Sequence, residues 1–444
     1  MLSQLLRVLS LADYNTRVVM FGTMTLGIAG GVVGVFLLLR RRALLADAVS
    51  HAALPGVAGA FLLAVALGGS GRSLPLLMLG ALTAGLLGMA CVMIISRFTR
   101  LSQDAALGIV LSVFFGFGAA LLGIIQKMRG AQAAGLDSFI YGKTASMIRS
   151  DALLIGIAAL IVILVTLSLF KEFRLYTFDS DFAAGDGWPV QRLDLLLMTL
   201  VVAVTILGLQ AVGIILIIAI LIVPPASARF WTDSLRLMVL LSALIGALGG
   251  YLGTAISAIA PRLPAGAVIV TVLGAAFLLS MLFGPCRGVI HLALQSRALK
   301  RTTLRQNLLR ALFECEEAGA LHSEQQQLEY LSEIRGWSKR ELRKAIRMLA
   351  RSGLIYRVPG CPWQFSENGR TEAMRVTRNH RLWEVYLLEH ADVATAHVDQ
   401  GADFIEHVLG DAMVAELEAS LPRFGRTLPQ SIHGLTRFNG GSDG

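Results

Sequence analysis

In the stretch Ala46-Asp47-Ala48-Val49-Ser50-His51-Ala52-Ala53-Leu54-Pro55-Gly56, a carboxylate and an imidazole stand four residues apart in otherwise apolar sequence. On a helix, positions i and i+4 share one face, so Asp47 and His51 point the same way with Ser50 beside them. A carboxylate oxygen and an imidazole nitrogen form a sensible ligand pair for a first-row divalent cation. Ionisable groups inside a bilayer are costly and usually functional, and His51 is the only one of eight histidines before position 291. The competing reading is a satisfied polar cluster that holds helices together near a membrane interface. Pro55-Gly56 is expected to break the helix one turn later and free backbone carbonyls near the pair.

A second concentration of ligand-type residues lies far down the chain. His380 and Glu384 are spaced i, i+4, as are Asp399 and Asp403, while Asp403, Glu406 and His407 are spaced i, i+3, i+4. On helices these would converge on two faces. A set of oxygen and imidazole donors without thiolate suits manganese or iron(II) better than a structural zinc site; the alternative is surface ion pairing. The four cysteines (Cys91, Cys286, Cys315, Cys361) form no CxxC pair, which argues against a disulfide framework and a thiolate zinc site. Gly142-Lys143-Thr144 looks like the end of a phosphate-binding loop, but the glycine required five residues earlier is Asp137. The expectation is no nucleotide site in this chain, so any ATP must be hydrolysed by a partner.

The elements that position these groups follow from composition. The chain has 444 residues, 55% hydrophobic and 16% charged, with mean hydropathy +0.67 and net charge +9. That excludes one soluble domain, which is nearer ~25% charged, and excludes disorder. The charge is unevenly spread: residues 1–296 hold 19 Lys+Arg and 11 Asp+Glu, and residues 297–444 hold 20 and 19. A helix needs about 20 apolar residues to cross a bilayer core of about 30 Å. Uncharged runs of that order occur at 18–39, 52–71, 73–96, 105–126, 152–170, 195–228, 237–261 and 263–286. The first has no small-residue cleavage site before Arg40-Arg41-Arg42 and reads as a retained span. The run 195–228 is too long for one pass and is interrupted at Gln210-Ala211-Val212-Gly213, predicting two short passes or a broken helix. The fold class is therefore an all-α polytopic membrane protein with about nine transmembrane helices, or eight, in residues 1–296. Basic residues of alternate loops, Arg40–Arg42 among them, put 11 Lys+Arg on one side and eight on the other, which by the positive-inside bias places the tail in the cytoplasm.

In the tail, Leu304, Leu308, Leu309 and Leu312 form one stripe over Thr303–Glu317, and Gln325–Ile334 reads as a second helix. Ser338 with Glu341 three residues on is a capping box that opens a helix over Lys339–Ala350. Its outer face carries Lys339, Arg340, Arg343, Lys344 and Arg347, the candidate DNA contacts. Leu354–Val358, Pro359-Gly360 and Trp363–Phe365 read as a short hairpin. This order is that of a winged helix-turn-helix over 297–370, whose basic helix would enter a major groove; a solvated basic face, or one lying on anionic lipid, is the alternative. Residues 371–444 read as a further helical part that carries the second set of candidate ligands, with a flexible C-terminal end.

Two resemblances organise these readings. Leu44–His51 with Leu54-Pro55-Gly56, Gln103–Ile109, Gly135–Gly142, Phe178–Ala183, Gln210–Gly213 with Val223–Arg229, and Leu263–Gly266 together resemble the permease subunits of ABC importers for manganese, zinc or iron. The resemblance implies a permease paired with a second copy or paralogue, ATPase subunits and an extracytoplasmic metal-binding protein. It also implies that Asp47 and His51 lie on the ion path. The segment 224–236, with Pro224, Pro225, Ala226 and Arg229, would be the cytoplasmic loop gripped by the ATPase, its prolines ending the span; the family more often has one proline followed by alanine there. Residues 325–433 resemble the diphtheria-toxin-repressor family of metal-dependent repressors, which implies that residues 371–444 form a helical metal-binding and dimerisation domain. By that resemblance His380, Glu384 and Asp399 match one metal site, and Asp403, Glu406 and His407 the other, with Asp399 where histidine is frequent and Asp403 where cysteine or glutamate is usual. A further ligand is expected from the first helix of the tail, near Glu314 and Glu317.

The leading expectation is an ATP-driven uptake permease for Mn²⁺, Zn²⁺ or Fe²⁺ in the bacterial cytoplasmic membrane, not itself an enzyme, whose tail senses cytoplasmic metal. A membrane-tethered or released metal-dependent repressor is the alternative. A proton-coupled secondary transporter is a third reading, disfavoured by the few acids within the spans.

Overall fold

The structure is a computed structural model that describes residues 13–68, 73–128, 147–259, 263–318, 323–335, 337–359 and 361–390. It divides into two compact units, Met1–Leu292 and Ala293–Gly444.

The first unit is a helical bundle: α1 (Tyr14–Leu39), α2 (Leu44–Ala66), α3 (Leu74–Phe98), α4 (Gln103–Lys127), α5 (Arg149–Ser168), the short α6 (Phe170–Phe178) and α7 (Ser180–Gly185), then α8 (Val190–Val212), α9 (Ile214–Arg229), α10 (Leu235–Ile259) and α11 (Ala265–Phe283). Among the described residues eight of these helices are long and apolar enough to cross a membrane. The ninth apolar helix, α9, has 16 residues, about 24 Å at about 1.5 Å per residue, shorter than a bilayer core. The long run 195–228 is indeed broken, at Gly213, whose φ of +82° is a left-handed conformation that glycine adopts without penalty.

Without a hydrophobic drive between helices in lipid, close backbone approach through small residues holds such a bundle. Helix α1 is built for this. Gly27 and Gly31 face α10, where a Cβ at either would collide with the backbone of Gly246 or Ser242. Gly30 and Gly34 lie against α9, Gly30 at the Ile220 side chain and beside its carbonyl, Gly34 at the Leu221 carbonyl. Two polar contacts lock the α1–α10 seam: Ser242 Oγ donates to the Gly31 carbonyl at 2.8 Å, and the Thr23 and Thr254 hydroxyls share a hydrogen bond at 3.2 Å. Helices α1 and α2 are accordingly mostly buried, whereas α4 and α11 are mostly exposed.

The expected helix break at Pro55-Gly56 does not occur: α2 continues through Pro55 to Ala66. Membrane helices tolerate proline when neighbours compensate. Gly56 is a packing residue, its Cα meeting Gly80 of α3 so closely that a Cβ would strike that carbonyl. The expectation about carbonyls survives in part, since Pro55 has no N–H to give the His51 carbonyl.

The second unit contains the distal part of α12 (Val289–Ala318), then α13 (Glu324–Arg335), α14 (Lys339–Arg351), the antiparallel pair β1 (Ile355–Tyr356) and β2 (Gln364–Phe365), and α15 (Glu367–His390). The leucine stripe packs as its spacing predicts: Leu308, Leu309 and Leu312 are buried with Leu331, Leu342, Ile346, Leu349 and Ile355. Ser338 caps α14, its hydroxyl accepting from Glu341 N while the Glu341 carboxylate accepts from Ser338 N. The Ser338 hydroxyl also donates to Glu341 Oε2 at 2.7 Å, and this bond, with that from the Ser338 N–H, holds the Glu341 carboxyl below the usual carboxylate range.

Candidate metal site

Asp47 lies in the first turn of α2 and His51 one turn on. A carboxylate there also meets the positive end of the helix dipole. His51 Nε2 stands 3.3 Å from Asp47 Oδ1, and both side chains are partly exposed, at 24% and 34%. Two ligand atoms, each about 2.1 Å from one ion and about 90–110° apart, are about 3.0–3.4 Å from each other. The pair is thus spaced as neighbouring ligands of one cation, a separation that also serves a direct hydrogen bond in its absence. Ser50 does not join them: it is buried and its hydroxyl donates to the Ala46 carbonyl at 2.7 Å. The His51 ring meets Phe115 of α4 edge-on, centroids 5.0 Å apart. Its Nδ1 is buried, with no hydrogen-bond partner among the described residues. Among the described residues no group of three or more His, Cys, Asp or Glu side chains is placed to hold an ion.

Next to this site is a buried charge network that the sequence reading did not identify. Arg42, at the corner between α1 and α2, pairs with Asp194 of α8 through Nη1 and donates from Nε to Gln103 Oε1 of α4 at 3.0 Å. Tyr176 of α6 donates to the same Asp194 oxygen at 2.6 Å. Arg40 lies over the Tyr176 ring, 4.1 Å from its centroid, and donates to the Tyr176 carbonyl. Burial pushes the Tyr176 phenol up to about 12, and the hydrogen bond to Asp194 adds to the effect. Four elements are thus tied together five residues before Asp47. Arg40–Arg42 read only as loop charge in the sequence; the available signal was Asp194, a lone acid directly before the apolar run 195–228.

Pro224 and Pro225 lie within α9 and are buried. They do not end it, contrary to expectation: the helix runs on through Ala226 to Arg229. The prolines offer no N–H to the Ile220 and Leu221 carbonyls, and those are the carbonyls against which Gly30 and Gly34 of α1 pack. Beyond α9, Asp233 lies 3.5 Å from Arg229 Nη1 and 2.9 Å from Arg287 Nη2. The Cys286 N–H donates to the Phe230 carbonyl at 3.1 Å.

In the second unit, Lys339, Arg340, Arg343, Lys344 and Arg347 are all exposed on α14. His380 lies on α15, 2% exposed, and its Nδ1 accepts from Arg310, a fully buried guanidinium on α12. Arg310 Nε is 3.2 Å from Glu314, and Arg381 Nη2 donates to Glu317 at 2.5 Å. An imidazole nitrogen whose lone pair is held by a guanidinium has none to give a metal, so His380 Nδ1 does not fit a metal ligand in this arrangement. Glu384 is on α15, but its side chain lies outside the described residues, as do Asp399, Asp403, Glu406, His407 and Gly135–Gly142.

Residues 12–284 match the family described as ABC 3 transport family, and residues 366–429 match the one described as iron dependent repressor, metal binding and dimerisation domain. The manganese transport system membrane protein MntC of Bacillus subtilis is 38% identical over 392 residues, covering 88% of each chain. The zinc transport system membrane protein TroC of Treponema pallidum is 44% identical over 280 residues, 63% of this chain and 92% of its own. Among solved structures, PsaBC from Streptococcus pneumoniae in complex with Fab superposes with a TM-score of 0.56 at 30% identity, covering 66% of this chain and all of that one.

Proposed function

This chain belongs to the ABC 3 transport family, and from that premise we propose that it is the membrane-spanning permease subunit of an ATP-driven importer of a divalent metal cation. The observation that carries the reading is the Asp47–His51 pair, spaced at 3.3 Å as two ligands of one ion within an apolar bundle. The substrate is Mn²⁺, Zn²⁺ or Fe²⁺, and the relatives named for manganese and zinc transport support that class. Two ligands are fewer than such ions take, so water or a second permease copy supplies the rest. Separate subunits hydrolyse ATP, and an extracytoplasmic protein delivers the metal.

In this reading the protein sits in the bacterial cytoplasmic membrane with the tail in the cytoplasm. The ATPase grips the end of α9 and the segment that follows, where Ala226 and Arg229 are partly exposed and the buried Pro224 and Pro225 set the course of the helix. The network of Arg42, Asp194, Gln103 and Tyr176 fixes the corner from which α2 carries Asp47 and His51. The match of residues 366–429 to a metal-binding and dimerisation domain supports a regulatory tail that senses cytoplasmic metal and restrains transport when metal is replete. From sequence, its candidate ligands are His380, Glu384, Asp399, Asp403, Glu406 and His407.

The test is radioactive Mn²⁺ uptake in cells lacking their own importer, supplied with this chain, its ATPase and its extracytoplasmic metal-binding protein. Uptake should vanish with an ATPase unable to hydrolyse ATP; uptake that survives would favour the proton-coupled reading. Deleting residues 297–444 should leave uptake active but no longer inhibited by internal metal. Unchanged inhibition would remove the sensing role. The exposed basic face of α14, Lys339, Arg340, Arg343, Lys344 and Arg347, favours a second reading in which the tail binds operator DNA as a winged helix. A gel shift of the detergent-purified full chain on upstream DNA, with and without Mn²⁺, separates that reading from regulation of transport alone.

A further inference from the structure

Three residues on which a metal site between α12 and α15 would draw are already engaged by arginines of the same unit. Arg310 of α12 is fully buried; it donates to His380 Nδ1 of α15 and lies 3.2 Å from Glu314. Arg381 of α15, 6% exposed, donates to Glu317 of α12 at 2.5 Å. The bonds therefore cross between the helices in both directions, one from each side.

A buried guanidinium is tolerated only where acceptors replace its water. Here two carboxylates and an imidazole do so. Arginine keeps its charge at every accessible pH and can only donate, so His380 Nδ1 must be the acceptor and its lone pair is committed. A divalent cation at that nitrogen would have to displace Arg310 into an apolar core that includes Leu308, Leu309 and Leu312. It would also compete for Glu314 with a positive charge that is covalently part of the site and always present.

We propose that Arg310 and Arg381 are built-in cations of the tail, joining α12 to α15 as a bound metal otherwise would. With Nδ1 accepting, the neutral ring carries its proton on Nε2, so neither nitrogen offers a lone pair; His380 is then not a metal ligand, and this part of the tail assembles without metal. The contrast rests on reading the tail as metal-binding: metal is left to the remaining ligands, Glu384, Asp399, Asp403, Glu406 and His407.

The experiment uses the full chain purified in detergent, with bound Mn²⁺ counted after equilibrium dialysis. His380→Gln keeps an acceptor for Arg310 but removes the imidazole, and it should bind as many Mn²⁺ ions as the parent. Loss of one equivalent in His380→Gln would overturn the proposal. His407→Ala, run alongside, reports on the tail reading itself. Loss there without loss in His380→Gln supports both, and no loss in either variant supports the assignment at His380 while removing the sensing role. Limited proteolysis gives a second readout that needs no bound metal. In chelator, cuts within residues 303–383 of the wild type should appear as slowly as with Mn²⁺, whereas Arg310→Met should be cut there faster. Wild-type cuts within residues 303–383 that speed up in chelator would also overturn the proposal.

Discussion

Arg287, in the turn after α11, donates to Asp233, in the segment after α9, at 2.9 Å. Asp233 is also 3.5 Å from Arg229, so one carboxylate ties the proposed ATPase-binding segment to the turn that leads into α12. These side chains are well exposed (Asp233 62%, Arg287 50%), and such pairs contribute no more than about 1 kcal/mol to stability. Their consequence is positional. Asp233→Asn should fold and still transport, yet lose most of the inhibition by internal metal. Uptake measured in metal-loaded cells checks this, and inhibition equal to wild type would contradict the link.

Arg42 and Asp194 make a different kind of pair, with side chains only 10% and 18% exposed. Removing one partner of a buried pair leaves the other uncompensated, at a cost of about 3 kcal/mol. Arg42→Met and Asp194→Leu should each lower the thermal stability of the detergent-solubilised protein. The double variant should recover much of the loss, because no buried charge is left alone. Melting followed by size-exclusion chromatography reads this; additive losses in the double variant would argue against a coupled pair.

Two glycines one turn apart on α2 should behave oppositely. A Cβ at Gly56 would strike the Gly80 backbone, whereas at Gly59 it would meet nothing within 4 Å. Gly56→Ala should force α2 and α3 apart and reduce the folded yield. Gly59→Ala should be neutral or stabilise by up to about 1 kcal/mol, the helix-propensity difference. Similar melting curves for the two variants would refute the close approach.

The Tyr176 phenol is raised from 10.0 to about 12 by burial and by its bond to Asp194. A folded-state value above the unfolded one means that the contribution to stability is complete below pH 10.0 and is lost as pH rises through about 12. The difference in tyrosinate absorbance between wild type and Tyr176→Phe should therefore titrate near 12. A midpoint at the ordinary tyrosine value would show the phenol to be exposed.

What could be read from the sequence was what depends on local spacing. Uncharged runs located the spans, the leucines at 304, 308, 309 and 312 located the buried stripe of α12, and Ser338 with Glu341 marked the start of α14. Gln210–Gly213 flagged the break now placed at Gly213. Pairings between distant residues were not legible: Arg42 meets Asp194 across 152 residues and Arg310 meets His380 across 70. A long charged side chain is normally exposed, so nothing marked Arg310, between Leu309 and Ala311, as buried. Proline was overread in both α2 and α9 because rules from soluble helices treat it as a terminator. Both helices run on through their prolines, and both stretches lie in close-packed glycine seams, Gly56 against Gly80 and Gly34 against Leu221.

The central claim is that the substrate metal passes through the ligand pair on α2. The most direct test is radioactive Mn²⁺ uptake by Asp47→Asn and His51→Gln, each assembled with its ATPase, with ATP hydrolysis measured on the same preparations. The expected result is that uptake falls at least about tenfold, equivalent to about 1.4 kcal/mol or more of lost stabilisation on the path, while the complex assembles and hydrolyses ATP. Wild-type uptake in both variants would show that Asp47 and His51 are a structural polar cluster, and the account of the transport path would be wrong.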